Sequence, residues 1–369
     1  MGVAGLTLRD FRCYEQAEVA LAEGLTVITG PNGAGKTNLL EALYFGCTGR
    51  SCRTTNEREI VRFGAGTTRV VVRCEAQDGA HELAVGFTPG EPKRMRVDGA
   101  VVERLLDAPA RPLVSVFLPD RLELIKGAPA LRRAHLDQLV TALWPARAGT
   151  RRAYAQSLAQ RNALLTRIRA GQASQSGLES WDLQLARHGI TLMADRARAV
   201  QTISDPYRTL AQELGLEGGA SVSYRPRSRA TSAQDLAAEL AERRAADLDR
   251  GFTGHGPHRD DVLLQRAERD LRAYGSQGQQ RLGLLTLLLA ERDAIATARD
   301  SAPLMLLDDV MSELDHVRRE ALVALLRDGP GQSVITTTDL EHIPGASSSD
   351  VRRVAVDAGR ILTAAALAG

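Results

Sequence analysis

Short apolar runs, each broken by glycine or charge, open the chain and predict strands: LTLRDF (6–11), EVALAEG (18–24) and GLTVITG (24–30). The last ends in a glycine turn and runs into NLLEALYFG (38–46), whose apolar residues fall at helical spacing. Arg69–Phe87 alternates apolar and polar positions, with Asp78-Gly79 as the expected hairpin turn. RMRVDG (94–99) predicts a further strand and turn, and Leu113–Phe117 another strand.

Past Gly127 the pattern lengthens to helical periods over Leu131–Leu143, Ala153–Ala170 and Leu178–Leu214, with GQASQSG (171–177) as a polar connection. Leu178, Trp181, Leu185, His188 and Leu192 recur three and four apart, the stripe of a helix packed on a partner. Pro206 is expected to end or kink that helix, because it lacks the N–H the ladder needs. A polar stretch at Ser221–Ser232 precedes a short helix over Ala233–Asp249. From Gly254 the texture is mixed again. APLMLLDD (302–309) reads as a buried strand, Val317–Leu326 as a helix, SVITTTD (333–339) as a strand and VRRVAVDAGRIL (351–362) as a closing hairpin. The expectation is an α/β domain interrupted by a mostly helical insertion: 1–126 and 251–369 form the α/β parts and 127–250 the insertion.

Composition narrows the class. Apolar residues make up 44% and charged residues 25% of the 369, so neither disorder nor a fibrous repeat is in prospect. No apolar run approaches the roughly 20 residues of a membrane span, and no signal or lipidation pattern is visible, so a soluble, cytoplasmic protein is expected. The formal charge is +2, from 47 basic and 45 acidic residues, so a polyanionic partner has to be met by local segregation of charge. Arg151 to Arg208 holds nine arginines against Glu179, Asp182, Asp195 and Asp205, and Arg50, Arg53, Arg58 and Arg62 form a second basic stretch. Such charges contact phosphate and do not read sequence, while 4% aromatic content argues against an extended base-stacking groove. Cys13, Cys47, Cys52 and Cys74 have no metal-site spacing and are expected to be reduced and mostly buried. Only Lys36, Lys93 and Lys126 are lysines, which makes any lysine inside a motif conspicuous.

Lys36 lies in such a motif. Gly30, Pro31, Asn32, Gly33, Ala34, Gly35, Lys36 and Thr37 spell G-x-x-x-x-G-K-T between a strand and a helix. The glycines let backbone N–H groups curl round phosphate oxygens, Lys36 reaches the terminal phosphates, and Thr37 offers its hydroxyl to Mg²⁺. Leu304–Leu307 then delivers Asp308 and Asp309 to the carboxyl end of a buried strand. Asp308 suits the metal, and Asp309 suits polarising the attacking water. Ser276-Gln277-Gly278-Gln279-Gln280-Arg281 opens an apolar helix, where free N–H groups form an anion site.

In this order, with Ser312-Glu313-Leu314-Asp315 after the acids, the motifs resemble those of the ABC-type ATPases and their SMC-like DNA-repair heads. LTLRDFRCY, SCRTTNEREIVRFG, FLPDRLELIKGAPALRRAHLD, GPHRDD (256–261), YGSQGQQR and LLDDVMSELD narrow the resemblance to one repair family within that superfamily. The resemblance implies ATP and Mg²⁺ as cofactors, with Ser276 completing the site of a second protomer in trans beside Gly278 and Gln279. It also adds Arg12 to the nucleotide-contacting set and makes Lys36, Asp309 and Ser276 the catalytic residues, with Thr37 and Asp308 on the metal. The implied function is ATP-driven dimerisation on duplex or gapped DNA with weak, DNA-stimulated hydrolysis. The implied partners are RecR, RecO and RecA. Asp309 stands where the superfamily usually has Glu, one methylene longer, so slow turnover is expected. Thr337 stands nearest the place where it often has its switch His, so the resemblance assigns no γ-phosphate switch residue here. No Q-loop glutamine is identified near FLPDRLELIKG. The rival readings are a transporter's nucleotide-binding subunit, which normally lacks so long an insertion, and an ATP-binding scaffold without hydrolysis.

Overall fold

The computed structural model of the chain describes residues 1–108, 111–118, 122–312 and 314–362. Pro119, Asp120 and Arg121 of the FLPDRLELIKG stretch and Glu313 of the SELD turn lie outside the described residues. The chain divides into two compact units, Met1–Arg121 with Ile295–Gly369, and Leu122–Ala294.

The first unit begins with strands β1 (Gly2–Phe11), β2 (Tyr14–Ala20) and β3 (Leu25–Thr29), then helix α1 (Lys36–Thr48). Strands β4 (Thr68–Ala76), β5 (Gly79–Phe87), β6 (Arg94–Val97), β7 (Ala100–Val102) and β8 (Val114–Phe117) follow. The second unit contributes α2 (Glu123–Lys126), α3 (Pro129–Leu143), α4 (Ala148–Arg169), α5 (Leu178–Glu213), β9 (Ala220–Arg225), α6 (Ala233–Glu242) and α7 (Arg244–Arg250). It continues with β10 (Asp261–Arg266), β11 (Arg269–Asp270), α8 (Leu271–Tyr274) and α9 (Gln277–Arg299) up to Ala294. The chain returns to the first unit with β12 (Leu304–Leu307), α10 (His316–Arg327), β13 (Ser333–Thr337), β14 (Arg352–Asp357) and β15 (Arg360–Leu362).

Two six-stranded sheets build the first unit. One is antiparallel in the order β2-β1-β4-β5-β6-β7, and the other runs β15-β14-β3-β13-β12-β8. Within the second, β14, β3, β13, β12 and β8 pair in parallel, and β15 closes one edge as an antiparallel hairpin strand. Parallel strands covered on both faces need apolar side chains at every position. LTVIT and LMLL meet that demand, with burial nearly continuous along each. A single core joins both sheets to α1 through Leu6, Leu8, Ile28, Leu39, Leu43, Phe45, Val70, Val72 and Val334. Two-residue turns set four hairpins of this unit, at Gln77-Asp78, Asp98-Gly99, Ala358-Gly359 and Arg12-Cys13. The first turn is thus one residue earlier than expected.

The second unit departs from the expected insertion in its extent. Its packing runs on from 250 to Ala294 because β10 pairs with β9, so the GPHRDD segment and the start of α9 fold with the helices. β9 itself falls where a polar stretch was expected. Its Ser221 and Ser223 alternate with Ala220 and Val222, both buried, a period of two that the serines disguise. Helix α5 runs through Pro206 without ending there. Tyr207, Leu210 and Ala211 beyond the proline are buried, and their packing outweighs the one ladder bond it removes. Ala233–Asp249 is two helices, broken at Arg243.

Arginines expected on the surface are partly consumed inside. Arg161, fully buried, donates to Asp182 (2.6 Å), Asp247 (2.7 Å) and Thr253 (2.7 Å). Arg196, also buried, clasps Asp137 through both Nε (2.8 Å) and Nη2 (3.1 Å) and reaches Asp260 at 3.3 Å. Two of the nine arginines between 151 and 208 are therefore structural cations and present no charge to a partner. Cys47 and Cys74 are buried, Cys52 is half-buried and Cys13 is exposed, all unbridged. No helix among the described residues is long and apolar enough to cross a membrane.

Candidate nucleotide site

The phosphate loop spans the end of β3 and the start of α1, and its neighbours hold it in shape. A Cβ on Gly30 would lie 2.1 Å from the Val356 carbonyl oxygen of β14. On Gly35, at φ 114°, it would lie 2.7 Å from both Cys13 Sγ and the Tyr14 hydroxyl. Only glycine fits either position. Tyr14 donates its hydroxyl to the Gly35 carbonyl at 3.0 Å, and the Gly359 N–H donates to the Ala34 carbonyl at 2.9 Å. The β1–β2 turn and the β14–β15 hairpin thus brace the loop from two sides, far apart in sequence.

Lys36 folds back over the loop, donating from Nζ to the carbonyls of Gly30 (2.8 Å) and Pro31 (3.0 Å). Burial holds its amine below the ordinary lysine range, while the charges of Asp309 and Asp308 pull it back up. Across 271 residues of sequence, the Thr37 hydroxyl meets the Asp308 carboxylate at 3.0 Å (Oδ1) and 2.9 Å (Oδ2). Two hard oxygen donors converge there, the donor set that Mg²⁺ takes from a protein when phosphates and water supply the rest.

The strand order explains this meeting. β13 lies between β3 and β12, so its carboxyl end separates the phosphate loop from the acid pair. Thr336 at that point donates its hydroxyl to Asp308 Oδ1 (2.7 Å) and accepts the Asp309 N–H (2.9 Å). It fixes both acids, and sequence reading did not single it out. Asp309 adopts a left-handed φ of 43°, rare for a residue with a side chain, two residues past the end of β12. Ser312 of the SELD turn donates to the Asp309 carbonyl at 3.0 Å, and Asp315 caps α10 through the Arg318 N–H at 2.9 Å. Thr337 turns its hydroxyl to the Asp339 carbonyl at 2.8 Å.

Arg12 is committed to a carboxylate in this structure. Its Nε and Nη2 grip Glu41 of α1 at 2.8 Å each, and Nη1 donates to the Glu59 carbonyl. Glu41 is fully buried and also accepts from Ser51 (2.5 Å) and Arg53 (3.4 Å). A buried carboxylate without such partners costs several kcal/mol, so Glu41 ties the basic segment after α1 to the phosphate-loop helix. Arg62 likewise pairs with Asp10 at 2.7 Å, which leaves Arg50 and Arg58 as the exposed cations of that stretch without a carboxylate partner among the described residues.

In the second unit Ser276, Gln277 and Gly278 are exposed at the start of α9. Ser276 and Gln279 cap each other, Gln279 N–H to Ser276 Oγ at 3.3 Å and Ser276 N–H to Gln279 Oε1 at 2.9 Å.

Burial raises the Asp308 carboxyl above its ordinary range, against hydrogen bonds from Thr336 and Thr37 that lower it. A carboxylate whose folded pKa is raised gives up folding stability as pH rises through that value, so at pH 7 Asp308 is a net cost to the nucleotide-free fold. Asp308→Asn keeps an oxygen for both threonines and removes the charge. It is expected to raise the thermal midpoint of the nucleotide-free protein at neutral pH, with the gain disappearing near about pH 4 where carboxyls protonate. A lowered midpoint at neutral pH contradicts this reading.

Strand order, braced phosphate loop and acid pair define an ATPase head of the ABC and SMC type. A family model described as an AAA domain matches residues 5–102. DNA replication and repair protein RecF of Herpetosiphon aurantiacus is 35% identical over 99% of this chain and 100% of its own length. That of an Anaeromyxobacter species is 38% identical over 98% and 99%. The chain belongs to the RecF family of DNA replication and repair proteins. Among solved structures, the recombination mediator protein RecF with ATP, of the RecFOR pathway, superposes with a TM-score of 0.82 at 26% identity, covering 98% of this chain and 97% of that one. An Smc head bound to the C-winged helix domain of ScpA has a TM-score of 0.61 at 16% identity over 98% and 97%, a likeness of fold alone.

Proposed function

We propose that the protein is an ATP-dependent DNA-binding protein of recombinational repair and replication-fork maintenance. ATP joins two copies on duplex or gapped DNA, slow hydrolysis releases them, and the bound dimer promotes loading of RecA together with RecR and RecO. Lys36 and the loop N–H groups hold the phosphates of ATP, and Thr37 with Asp308 hold Mg²⁺. The ion, when bound, offsets charge on the phosphate oxygens. Asp309 polarises the attacking water, and its carboxylate, one methylene shorter than the superfamily's Glu, accounts for slow turnover.

One observation supports the trans role of the signature above others. A Cβ on Gly278 would meet nothing within 4 Å, and its φ is not positive. Glycine in a helix costs roughly 0.5–1 kcal/mol relative to alanine, and nothing among the described residues accounts for it. An approaching phosphate or protomer accounts for both the missing side chain and the exposed Ser276. ATP binding that favours the dimer shifts the monomer–dimer equilibrium by mass action.

Two assays test the reading. Asp309→Asn is expected to bind ATP with near wild-type affinity while turnover falls about 10²-fold or more, whereas Asp308→Asn is expected to weaken Mg–ATP binding. Equal defects in the two variants would show the assignment of roles to be wrong. Duplex DNA is expected to raise the wild-type ATPase rate, in a manner weakened by salt as phosphate contacts are. Absence of turnover would favour the scaffold reading, and turnover indifferent to DNA would contradict stimulation by DNA.

A further inference from the structure

The second unit carries an open cleft of about 410 Å³ lined by Arg227, Arg250, Phe252, Gly254 and Arg259. All three arginines are exposed. The neighbouring acids are occupied elsewhere. Asp260 is engaged by Arg196, Tyr224 and the Arg227 N–H, and Asp261 by a two-pronged contact from Arg132. Asp247 is held by Arg161 and the Gly254 N–H, and Glu239 by Ser228 and His255. Asp249 is the one exposed acid in the segments that form the cleft, and among the described residues it pairs with none of the three guanidiniums. The GPHRDD segment therefore spends both its acids on the fold and leaves Arg259 facing out.

Between these charges stands a ring. Phe252 is 43% exposed, and the Arg259 guanidinium lies 5.7 Å from its centroid. Gly251, at φ 79°, lies under the Arg169 guanidinium and Gly254 under that of Arg250, so the backbone beside the ring is covered by cations. An acidic peptide satisfies the arginines and leaves the ring wet. A blunt duplex satisfies them too, but its bases are stacked on one another and out of reach. An unpaired nucleotide offers phosphates to the guanidiniums and a π-face to the phenylalanine at once. The low aromatic content of the chain rules out an extended stacking groove, whereas one base needs one ring.

We infer that this cleft binds an unpaired stretch of nucleic acid, with a base stacked on Phe252 and the flanking phosphates on Arg227, Arg250 and Arg259. The inference rests on the reading of the protein as a binder of duplex or gapped DNA and assigns the unpaired strand to this cleft. The test is fluorescence anisotropy of the full chain with ATP, using a blunt duplex, the same duplex with a thymidine overhang, and the overhang made abasic. Phe252→Ala is expected to weaken overhang binding about tenfold, the scale of one stacked base, and to leave blunt duplex unchanged. Phe252→Trp is expected to bind the overhang at least as well as wild type, which separates loss of the ring from loss of the fold. Replacing the three arginines by serine is expected to reduce the salt slope by about 2, near 0.7 for each phosphate contact to a single strand. If wild type binds the blunt duplex but gains nothing from the overhang, or holds the abasic overhang as tightly, the inference fails alone. It also fails if Phe252→Ala binds the overhang normally, or if free dTMP competes as well as the oligonucleotide. If wild type binds none of the probes, the DNA-binding reading fails and the inference with it.

Discussion

Lys36→Met is expected to lower ATP turnover by about 10²–10³-fold, the usual cost of removing one positioned donor from developing phosphoryl charge, and to weaken ATP binding with it. The substitution removes the cation of the phosphate loop, and the chain's other lysines, Lys93 and Lys126, lie outside the motif. It also removes the contacts by which Nζ braces the Gly30 and Pro31 carbonyls, so the loop loses order before nucleotide arrives. Tyr14, Val356 and Gly359 still hold the loop from outside, and the fold is expected to survive. Titration calorimetry with Mg–ATP, beside a thermal scan, reads both effects. Wild-type affinity in a folded variant would remove Lys36 from the site.

Ser276→Arg is expected to leave ATP binding intact and to abolish both ATP-dependent dimerisation and most of the turnover. Ser276 is exposed and, among the described residues, bonded only within its own helix turn, so a long side chain there meets no packed core. Its damage falls on whatever approaches from outside. Losing the mutual cap with Gln279 costs about 1 kcal/mol, too little to unfold the protein. Mixed with Lys36→Met, the variant is expected to regain turnover at one composite site per mixed dimer, formed by an intact Lys36 from one chain and an intact Ser276 from the other. The second site of that dimer carries both substitutions and stays silent. A mixture with no more activity than the sum of its parts argues against sharing between protomers.

Motifs made of backbone chemistry were legible in the sequence. Gly30 to Thr37, the run ending in Asp308 and Asp309, and the cap at Ser276 each announce themselves through local residue types. What escaped depends on strand order, which no local pattern carries. Thr336 touches both acids only because β13 enters the sheet between β3 and β12. Glu41 looks like one polar residue on an apolar helix until Arg12, Ser51 and Arg53 close on it. The charge count over 151–208 misjudged Arg161 and Arg196 for the same reason, since their carboxylate partners at 182, 247, 137 and 260 arrive from other elements. β9 was missed because serine weakens an alternation that is otherwise regular.

The central claim is that nucleotide joins two copies of this chain, each lending its Ser276 to the other's phosphate loop. Sedimentation velocity of the wild-type protein, without nucleotide and across a series of ATP concentrations, tests it most directly. The account predicts a monomer without ATP and a dimer fraction that rises with ATP and saturates. A monomer at saturating ATP, or a dimer equally populated without it, would contradict the claim.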